Sequence, residues 1–201
     1  MVSRSAASGS PQTQRQRAVA RIDQNAPINF TFDGRSYRGF AGDTLASALL
    51  ANNVHLVGRS FKYHRPRGVM TAGSEDPCAL VEVLENGQQT PNTRATMQEL
   101  FEGLEARSQN RWPSLKFDAL AVNDLASPFL SAGFYYKTFM WPRAFWEKLY
   151  EPLIRRAAGL GSLSGAHDDA LYEKAFAHCD VLVIGSGPSG LMAALTAARA
   201  G

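Results

Sequence analysis

The sequence predicts an α+β protein with three structured parts, on the strength of three observations. Two alternating strands are joined by the turn Asp33-Gly34, an aromatic-rich segment follows, and a strand, a glycine-rich turn and a helix come last. The predicted parts are a disordered tail over 1–26, a β-grasp domain over 27–108, a connector with helices over 109–178, and the first strand, turn and helix of a truncated Rossmann (dinucleotide-binding βα) unit over 179–201.

Composition places the chain among ordinary globular proteins. Of its 201 residues, 45% are hydrophobic and 19% are charged, and the net charge of +3 is too small for bulk nucleic-acid binding. No apolar run approaches the roughly 20 residues that span a bilayer. The two cysteines, Cys78 and Cys179, are expected to be reduced thiols of a cytoplasmic protein. We therefore predict no nucleic-acid partner and no membrane association.

The first 26 residues are rich in Ser, Gln, Ala and Arg and contain no acid before Asp23. Such an Arg-rich, acid-poor leader is compatible with a mitochondrial transit peptide or with a solvated, disordered tail. The absence of an amphipathic stripe favours the tail.

The β-grasp domain is predicted from its local signals in order. Ile28–Phe32 alternates as a strand, Asp33-Gly34 is a hairpin turn, and Ser36–Phe40 is the returning strand. Asp43-Thr44 provides an N-cap for a helix with apolar residues at helical spacing over 45–52. Further strands are predicted at Ala79–Leu84, which a turn at Asn86-Gly87 closes, and at Thr93–Leu100 and Leu104–Ser108.

A basic loop over Arg59–Gly68 carries four fixed positive charges, one histidine, two aromatic residues and no acid. Its cations suit phosphate or carboxylate groups of a partner or cofactor. A merely solvated loop and a surface for single-stranded nucleic acid remain alternatives.

The connector is crowded with aromatic residues and punctuated by prolines, so it is expected to pack on a larger body rather than to be a solvated linker. Helices are predicted over 143–158 and over 170–178, with a flexible break over 159–165 between them. The run His167-Asp168-Asp169 holds potential metal ligands, but helix capping explains both acids, and we predict neither a metal site nor a catalytic residue in the chain.

The last part shows the context that a dinucleotide fingerprint requires. Val181–Ile184 is typical of a buried parallel strand, and the helix-forming run Leu191–Ala200 follows three glycines in a G-x-G-x-x-G spacing. The alternative is a glycine-rich turn with only a structural role. A complete βαβ unit needs roughly 30 residues, and 22 run from Asp180 to Gly201. We therefore expect the 201 residues to be the N-terminal part of a longer polypeptide that holds half of a cofactor site.

Several long strings resemble the α subunits of heterotetrameric sarcosine oxidases. The resemblance covers about 28–201, and the strings that carry it are Thr44–Leu50, Arg59–Gly68, Ala79–Val83, Ser108–Ser114, Ala132–Phe139 and Tyr150–Gly161. It implies that the first domain is similar to a 2Fe–2S ferredoxin fold. A plant-type cluster needs four cysteine thiolates, and the loop over 58–78 offers only Cys78. We therefore expect no iron–sulfur cluster.

The resemblance also implies a function for the complete enzyme. The glycine-rich domain of this subunit binds NAD, and on that basis six residues approach the pyrophosphate: Gly185, Ser186, Gly187, Pro188, Ser189 and Gly190. The family oxidises sarcosine to glycine with hydrogen peroxide and formaldehyde or methylene-tetrahydrofolate. It uses FAD on a partner subunit, FMN near the subunit interface, and a C-terminal domain that binds tetrahydrofolate. The implied partners are the β, γ and δ subunits and a small amine substrate.

Two alternatives remain from the sequence. One is a subunit of the related amine or opine dehydrogenases, which the missing cysteines disfavour. The other is a non-enzymatic β-grasp interaction module whose basic loop docks a partner.

Overall fold

The computed structural model describes residues 12, 15, 22–85, 87–125, 127, 128, 133, 141–167 and 171–201. The chain divides into two compact units, Met1–Ala166 and His167–Gly201, and each is considered by itself. The predicted disorder of the tail concerns residues that lie largely outside the described ones, and it stays a prediction.

A five-stranded mixed sheet forms the body of the first unit. Its strand order is β2-β1-β7-β5-β6, in which β1 and β7 are parallel and the other neighbours are antiparallel. This mixed five-stranded sheet with one packed helix confirms the predicted α+β class. The strands are β1 (Asp23–Phe32), β2 (Arg35–Ala41), β5 (Leu80–Glu85), β6 (Gln88–Arg94) and β7 (Glu105–Ser108), and a small separate hairpin is formed by β3 (Gly58–Arg59) and β4 (Pro66–Arg67).

The predicted hairpin between β1 and β2 is confirmed. Asp33 and Gly34 have φ angles of 49° and 75°, the left-handed pair that a tight two-residue hairpin turn requires. The Asp33 carboxylate also fixes the turn to β7, because it accepts hydrogen bonds from the Ser108 amide and hydroxyl at 2.9 and 2.7 Å. One residue therefore closes the hairpin and joins it to the central parallel strand.

Helix α1 (Leu45–Ala51) begins at the predicted cap. Thr44 accepts a hydrogen bond from the Ser47 amide, and the Ser47 hydroxyl accepts one from the Thr44 amide, which together form a capping box. Asp43 has a different role from the capping one predicted. Its buried carboxylate accepts hydrogen bonds from the Phe40 amide and the Ser47 hydroxyl and pairs with Arg15 at 2.6 Å.

The core lies between α1 and the sheet. Its members share almost complete burial, and the largest apolar ones are Phe30, Leu45, Leu49, Val57, Val81 and Leu104. Phe30 lies in β1, Val81 in β5, and Leu45 and Leu49 on the inward face of α1, as the period-two and helical patterns predict. Val57 and Leu104 lie immediately before β3 and β7.

The strand predicted at Thr93–Leu100 is wrong. The structure places β6 at Gln88–Arg94, and only its last two residues overlap the prediction. β6 is polar because it is an edge strand, where Pro91 is tolerated, so it lacks the alternation by which half-buried strands are found. Asn86 of the predicted turn lies outside the described residues.

The connector contains short helical segments. A 3-10 helix covers Ala119–Asp124, and a continuous helical stretch starts at Arg143 as a 3-10 turn, continues as a π-helix over Trp146–Tyr150, and ends as α2 (Glu151–Ala158). Gly159, with φ at 61°, terminates α2 in the left-handed region. The helix predicted over 143–158 is thus confirmed in position.

Two predictions for the later residues need correction. Residues 171–178 form no helix, and Asp168, Asp169 and Ala170 lie outside the described part. The strand predicted at Val181–Ile184 is not formed either, since these residues have no strand partner among the described ones and are mostly exposed. The backbone N–H and C=O groups of a strand need a neighbouring strand as their hydrogen-bond partner. Because the described residues provide none here, the Rossmann unit remains a prediction. Only its helix is present, as α3 (Pro188–Ala200).

Candidate functional site

The glycine turn before α3 has the close packing that a dinucleotide fingerprint needs. Gly185 has φ at 113°, and a side-chain carbon placed on Gly190 would lie 2.0 Å from the Gly185 carbonyl oxygen. Only glycine at 190 allows the turn and the first turn of the helix to approach this closely. A side-chain carbon placed on Gly187 would have no described atom within 4 Å, so this face of the turn is open.

The remaining predicted residues surround the N-terminus of α3. Gly187 is the N-cap, Pro188 occupies the first helical position, and the Leu191 amide donates to the Gly187 carbonyl at 2.9 Å. Ser186 and Ser189 are exposed. The structure thus brings all six predicted residues into one turn, where first-turn amides and the helix dipole favour an anion.

The basic loop over Arg59–Gly68 is mostly engaged inside the first unit. The Arg59 guanidinium donates to the carbonyls of Leu115, Lys116 and His64. Arg65 pairs with Asp124 at 2.7 Å. The string that sequence reasoning took as a possible anion clamp therefore joins the β3–β4 hairpin to residues 115–124.

At the centre of this junction lies a buried His–Asp pair. His64 Nδ1 is 2.6 Å from Asp118 Oδ2, and both side chains are fully buried. The other Asp118 oxygen accepts hydrogen bonds from the Trp112 and Leu120 amides. Among the residues that the structure describes, none forms a hydrogen bond with His64 Nε2. Sequence reasoning missed this pair because its members are 54 residues apart and no local pattern connects them.

A second buried carboxylate organises the loop before β5. Asp76 accepts backbone hydrogen bonds from Met70, Thr71, Cys78 and Ala79 at 2.8–2.9 Å. Burial raises the pKa of Asp76, but the four amide donors outweigh it and lower the pKa to about 2. The carboxylate is therefore ionised at neutral pH, and it fixes the backbone around Cys78.

Cys78 itself has one sulfur neighbour. Its Sγ lies 3.3 Å from Met70 Sδ, at the edge of a cavity of about 330 Å³ that Phe61 and Arg67 also line. Within the described part of the chain, no group of three or more His, Cys, Asp or Glu side chains is placed to hold a metal ion.

Comparison with known proteins shows what this chain is similar to. The 2Fe-2S iron-sulfur cluster binding domain family matches residues 25–111. Sarcosine oxidase subunit alpha of Rhizobium meliloti (strain 1021) is 71% identical over 180 residues, which cover 90% of this chain and 18% of that protein. Over most of its length, the chain is therefore similar to a sarcosine oxidase alpha subunit.

More distant sarcosine oxidase alpha subunits are similar to this chain over nearly the same length. Those of Corynebacterium sp. (strain P-1) and Corynebacterium sp. (strain U-96) are 35% and 32% identical over 186 residues, covering 92% of this chain and 15% of each relative. The chain thus spans less than a fifth of the length of these sarcosine oxidase subunits. Among solved structures, L-proline dehydrogenase from P. horikoshii matches 43% of this chain and 16% of its own with a TM-score of 0.35 and 24% identity.

The cluster that the matched domain family is named for does not fit this chain. A [2Fe–2S] centre is held by four ligands, usually cysteine thiolates, whereas residues 25–111 contain Cys78 alone and the whole chain contains two cysteines. The amides around Cys78 are directed at the Asp76 carboxylate instead. In this chain, a carboxylate organises that loop.

One further property concerns membranes. Within the described ranges, no helix is both long and apolar enough to cross a bilayer.

Proposed function

We propose that this chain contributes the ferredoxin-like domain and the glycine turn of a flavin-dependent sarcosine oxidase alpha subunit. The observation that carries the proposal is the 71% identity over 90% of the chain to such a subunit. The reaction is the oxidative demethylation of sarcosine, or a similar secondary amine, to glycine with hydrogen peroxide and formaldehyde or methylene-tetrahydrofolate. FAD and FMN supply the two-electron oxidation when bound in the assembled enzyme with its β, γ and δ subunits.

Within that enzyme, the first unit has an architectural role. Two of its buried carboxylates, Asp76 and Asp118, accept hydrogen bonds from backbone and imidazole groups, and its basic loop is joined to residues 115–124. Both carboxylates are therefore occupied by hydrogen bonds within the first unit. We infer that the domain replaces a redox-active cluster by a carboxylate-centred scaffold.

The glycine turn is the proposed start of the NAD site. Gly185 and Gly190 set its tight packing, the open face at Gly187 admits the pyrophosphate, and Ser186, Pro188 and Ser189 flank it. The close approach at Gly190 supports this role, because a packed turn presents the amides of α3 to a phosphate.

Replacing Gly190 tests the dinucleotide proposal. In the assembled complex that contains this chain, Gly190→Ala places a carbon 2.0 Å from the Gly185 carbonyl and must deform the turn. We expect at least about tenfold weaker NAD binding by calorimetry, since phosphate contacts by helix amides are sensitive to geometry. Thr196→Ala, two turns further along α3, is the matched control. Unchanged NAD affinity in Gly190→Ala would contradict the site.

A deletion experiment tests the proposed reaction in the cell. Removal of the gene for this chain should abolish sarcosine-dependent hydrogen peroxide formation in extracts, and its reintroduction should restore it. Peroxide formation that persists without the chain would show that another protein catalyses this reaction.

A further inference from the structure

A second candidate site in the first unit is a cavity whose lining lies far in sequence from the glycine turn. It has a volume of about 530 Å³ and opens between the β1–β2 turn, the loop after α1 and residues 114–116. This size falls within the range of small-molecule sites in proteins. Its lining is apolar at Phe32, Val54, Leu56 and Leu115 and aromatic at Tyr37.

Cationic side chains surround this apolar lining. Arg35 and Lys116 both line the cavity and are exposed, and neither forms an ion pair or a side-chain hydrogen bond with the residues that the structure describes. This contrasts with Arg59 and Arg65 of the basic loop, which are both engaged. The two cavity cations are therefore available to a ligand.

The one carboxylate in the lining is already neutralised. Asp33 accepts two hydrogen bonds from Ser108 and pairs with Arg111 at 3.3 Å. It therefore does not compensate Arg35 or Lys116, and the cavity has an excess of positive charge.

A histidine adds a directed polar group. The His55 imidazole is held by its Nε2, which donates to the Asn53 side-chain oxygen at 2.8 Å. Since an amide oxygen only accepts, this contact leaves His55 Nδ1 for another partner. His55 lines the same cavity as the two cations.

We propose that this cavity binds a small organic anion, in which a phosphate or carboxylate group is attached to an apolar, ring-sized body. Arg35 and Lys116 bind the anionic group, because guanidinium and ammonium groups form strong charge-assisted hydrogen bonds with such oxygens. Phe32, Tyr37 and Leu115 contact the apolar body. None of the lining residues belongs to the proposed dinucleotide turn, and the site is independent of that function.

The test uses the full chain with phenyl phosphate as the probe, titrated by calorimetry and by ¹⁵N–¹H NMR. We expect saturable one-to-one binding, with shifts confined to residues near 32–37, 53–56 and 114–116. Inorganic phosphate should bind at least about tenfold more weakly, because it lacks the apolar body. Phenylacetate should compete with phenyl phosphate, since the carboxylate provides the same type of acceptor oxygens.

Matched variants separate the site from general surface charge. The double variant Arg35→Gln/Lys116→Gln should weaken phenyl phosphate binding by about tenfold or more, because both charge-assisted contacts are lost. Arg94→Gln removes an equally exposed arginine that lines neither described cavity and should leave affinity unchanged. Absence of saturable binding, shifts elsewhere on the chain, or equal losses in the double variant and Arg94→Gln would overturn the proposal.

Discussion

Asp76 and Asp118 show how single buried carboxylates determine the local structure of the first unit. Each is almost inaccessible to solvent, and each accepts hydrogen bonds from at least two backbone amides. An unsatisfied buried amide costs about 1–3 kcal/mol. Both carboxylates therefore stabilise the backbone around them much more than an exposed acid does.

The stability supplied by Asp76 depends on pH. Its pKa falls from an ordinary 3.8 to about 2 in the folded chain, which corresponds to about 2 kcal/mol of stability. Because the folded pKa is the lower one, this stability is present above about pH 4 and is lost as the pH falls toward 2. We expect Asp76→Asn to lower the free energy of unfolding by about 2 kcal/mol at pH 7, as measured by urea denaturation. The difference between this variant and the natural chain should narrow between pH 4 and pH 2.

The neighbouring exposed acid provides the control for Asp76. Glu75→Gln should change the free energy of unfolding by less than about 0.5 kcal/mol, because surface substitutions away from special features have small effects. A difference between Asp76→Asn and the natural chain that does not vary with pH would contradict the assigned role of the charge.

Two side-chain pairs of the basic loop, His64–Asp118 and Arg65–Asp124, allow a direct comparison of buried and exposed interactions. Asp118→Ala removes the partner of His64 and two amide acceptors at a fully buried position, and we expect a loss of about 2–4 kcal/mol in unfolding free energy. Asp124→Ala removes the partner of Arg65, where both side chains are about half exposed, and the expected loss is below about 1 kcal/mol. Equal losses of unfolding free energy in the two variants would show that the buried pair stabilises the fold no more than the exposed pair does.

At the scale of elements, the end of α2 is attached to the sheet by contacts that require glycine. An added carbon on Gly159 would lie 2.4–2.7 Å from atoms of Asn110, and one on Gly161 would lie 2.5 Å from Pro91. At Leu160, between these two glycines in sequence, the backbone carbonyl accepts a hydrogen bond from the Asn92 side chain at 2.8 Å. The helix is thus positioned by its C-terminal turn.

A matched glycine isolates this packing effect. Gly159 and Gly165 both have positive φ, at 61° and 68°, but no described atom lies near an added carbon on Gly165. We expect Gly165→Ala to cost only the left-handed backbone strain of about 1–2 kcal/mol. Gly159→Ala should in addition detach the turn, which hydrogen exchange would detect as faster exchange of the amides of α2. Equal exchange in the two variants would contradict the docking.

Elements with strong local signals were predictable from the sequence, whereas those that depend on distant partners were not. The Asp33-Gly34 turn, the Thr44 cap and the apolar alternation of β5 are each determined by residues close in sequence. The polar edge strand β6 was misplaced because its neighbour in the sheet, not its own pattern, makes it a strand. The same reasoning explains Val181–Ile184, whose apolar run indicates a strand but which has no described strand beside it.

For the candidate site, the sequence predicts the glycine turn but not the internal contacts of the basic loop. The turn is local, and its glycine spacing carries a direct geometric meaning. The side chains of the loop contact residues 115–124, which lie more than 50 positions away in sequence from Arg59, His64 and Arg65. Composition alone does not reveal such distant partners and therefore suggests free cations. The loop nevertheless proved to be an internal junction.

At the scale of the whole molecule, the ferredoxin-like domain is expected to be free of iron. With two cysteines in the chain, four thiolate ligands are unattainable. Anaerobically purified chain should therefore contain far less than one iron per polypeptide and should give no rhombic electron paramagnetic resonance signal after reduction. Such a signal would instead support the alternative of a cluster-containing amine dehydrogenase subunit.

The central claim is that this chain works within a sarcosine oxidase. The most direct measurement is oxygen consumption and peroxide formation by the native complex, captured through this chain and supplied with sarcosine. We expect sarcosine-dependent turnover with peroxide formed in proportion to the glycine released. A captured complex that oxidises neither sarcosine nor any other secondary amine would contradict it.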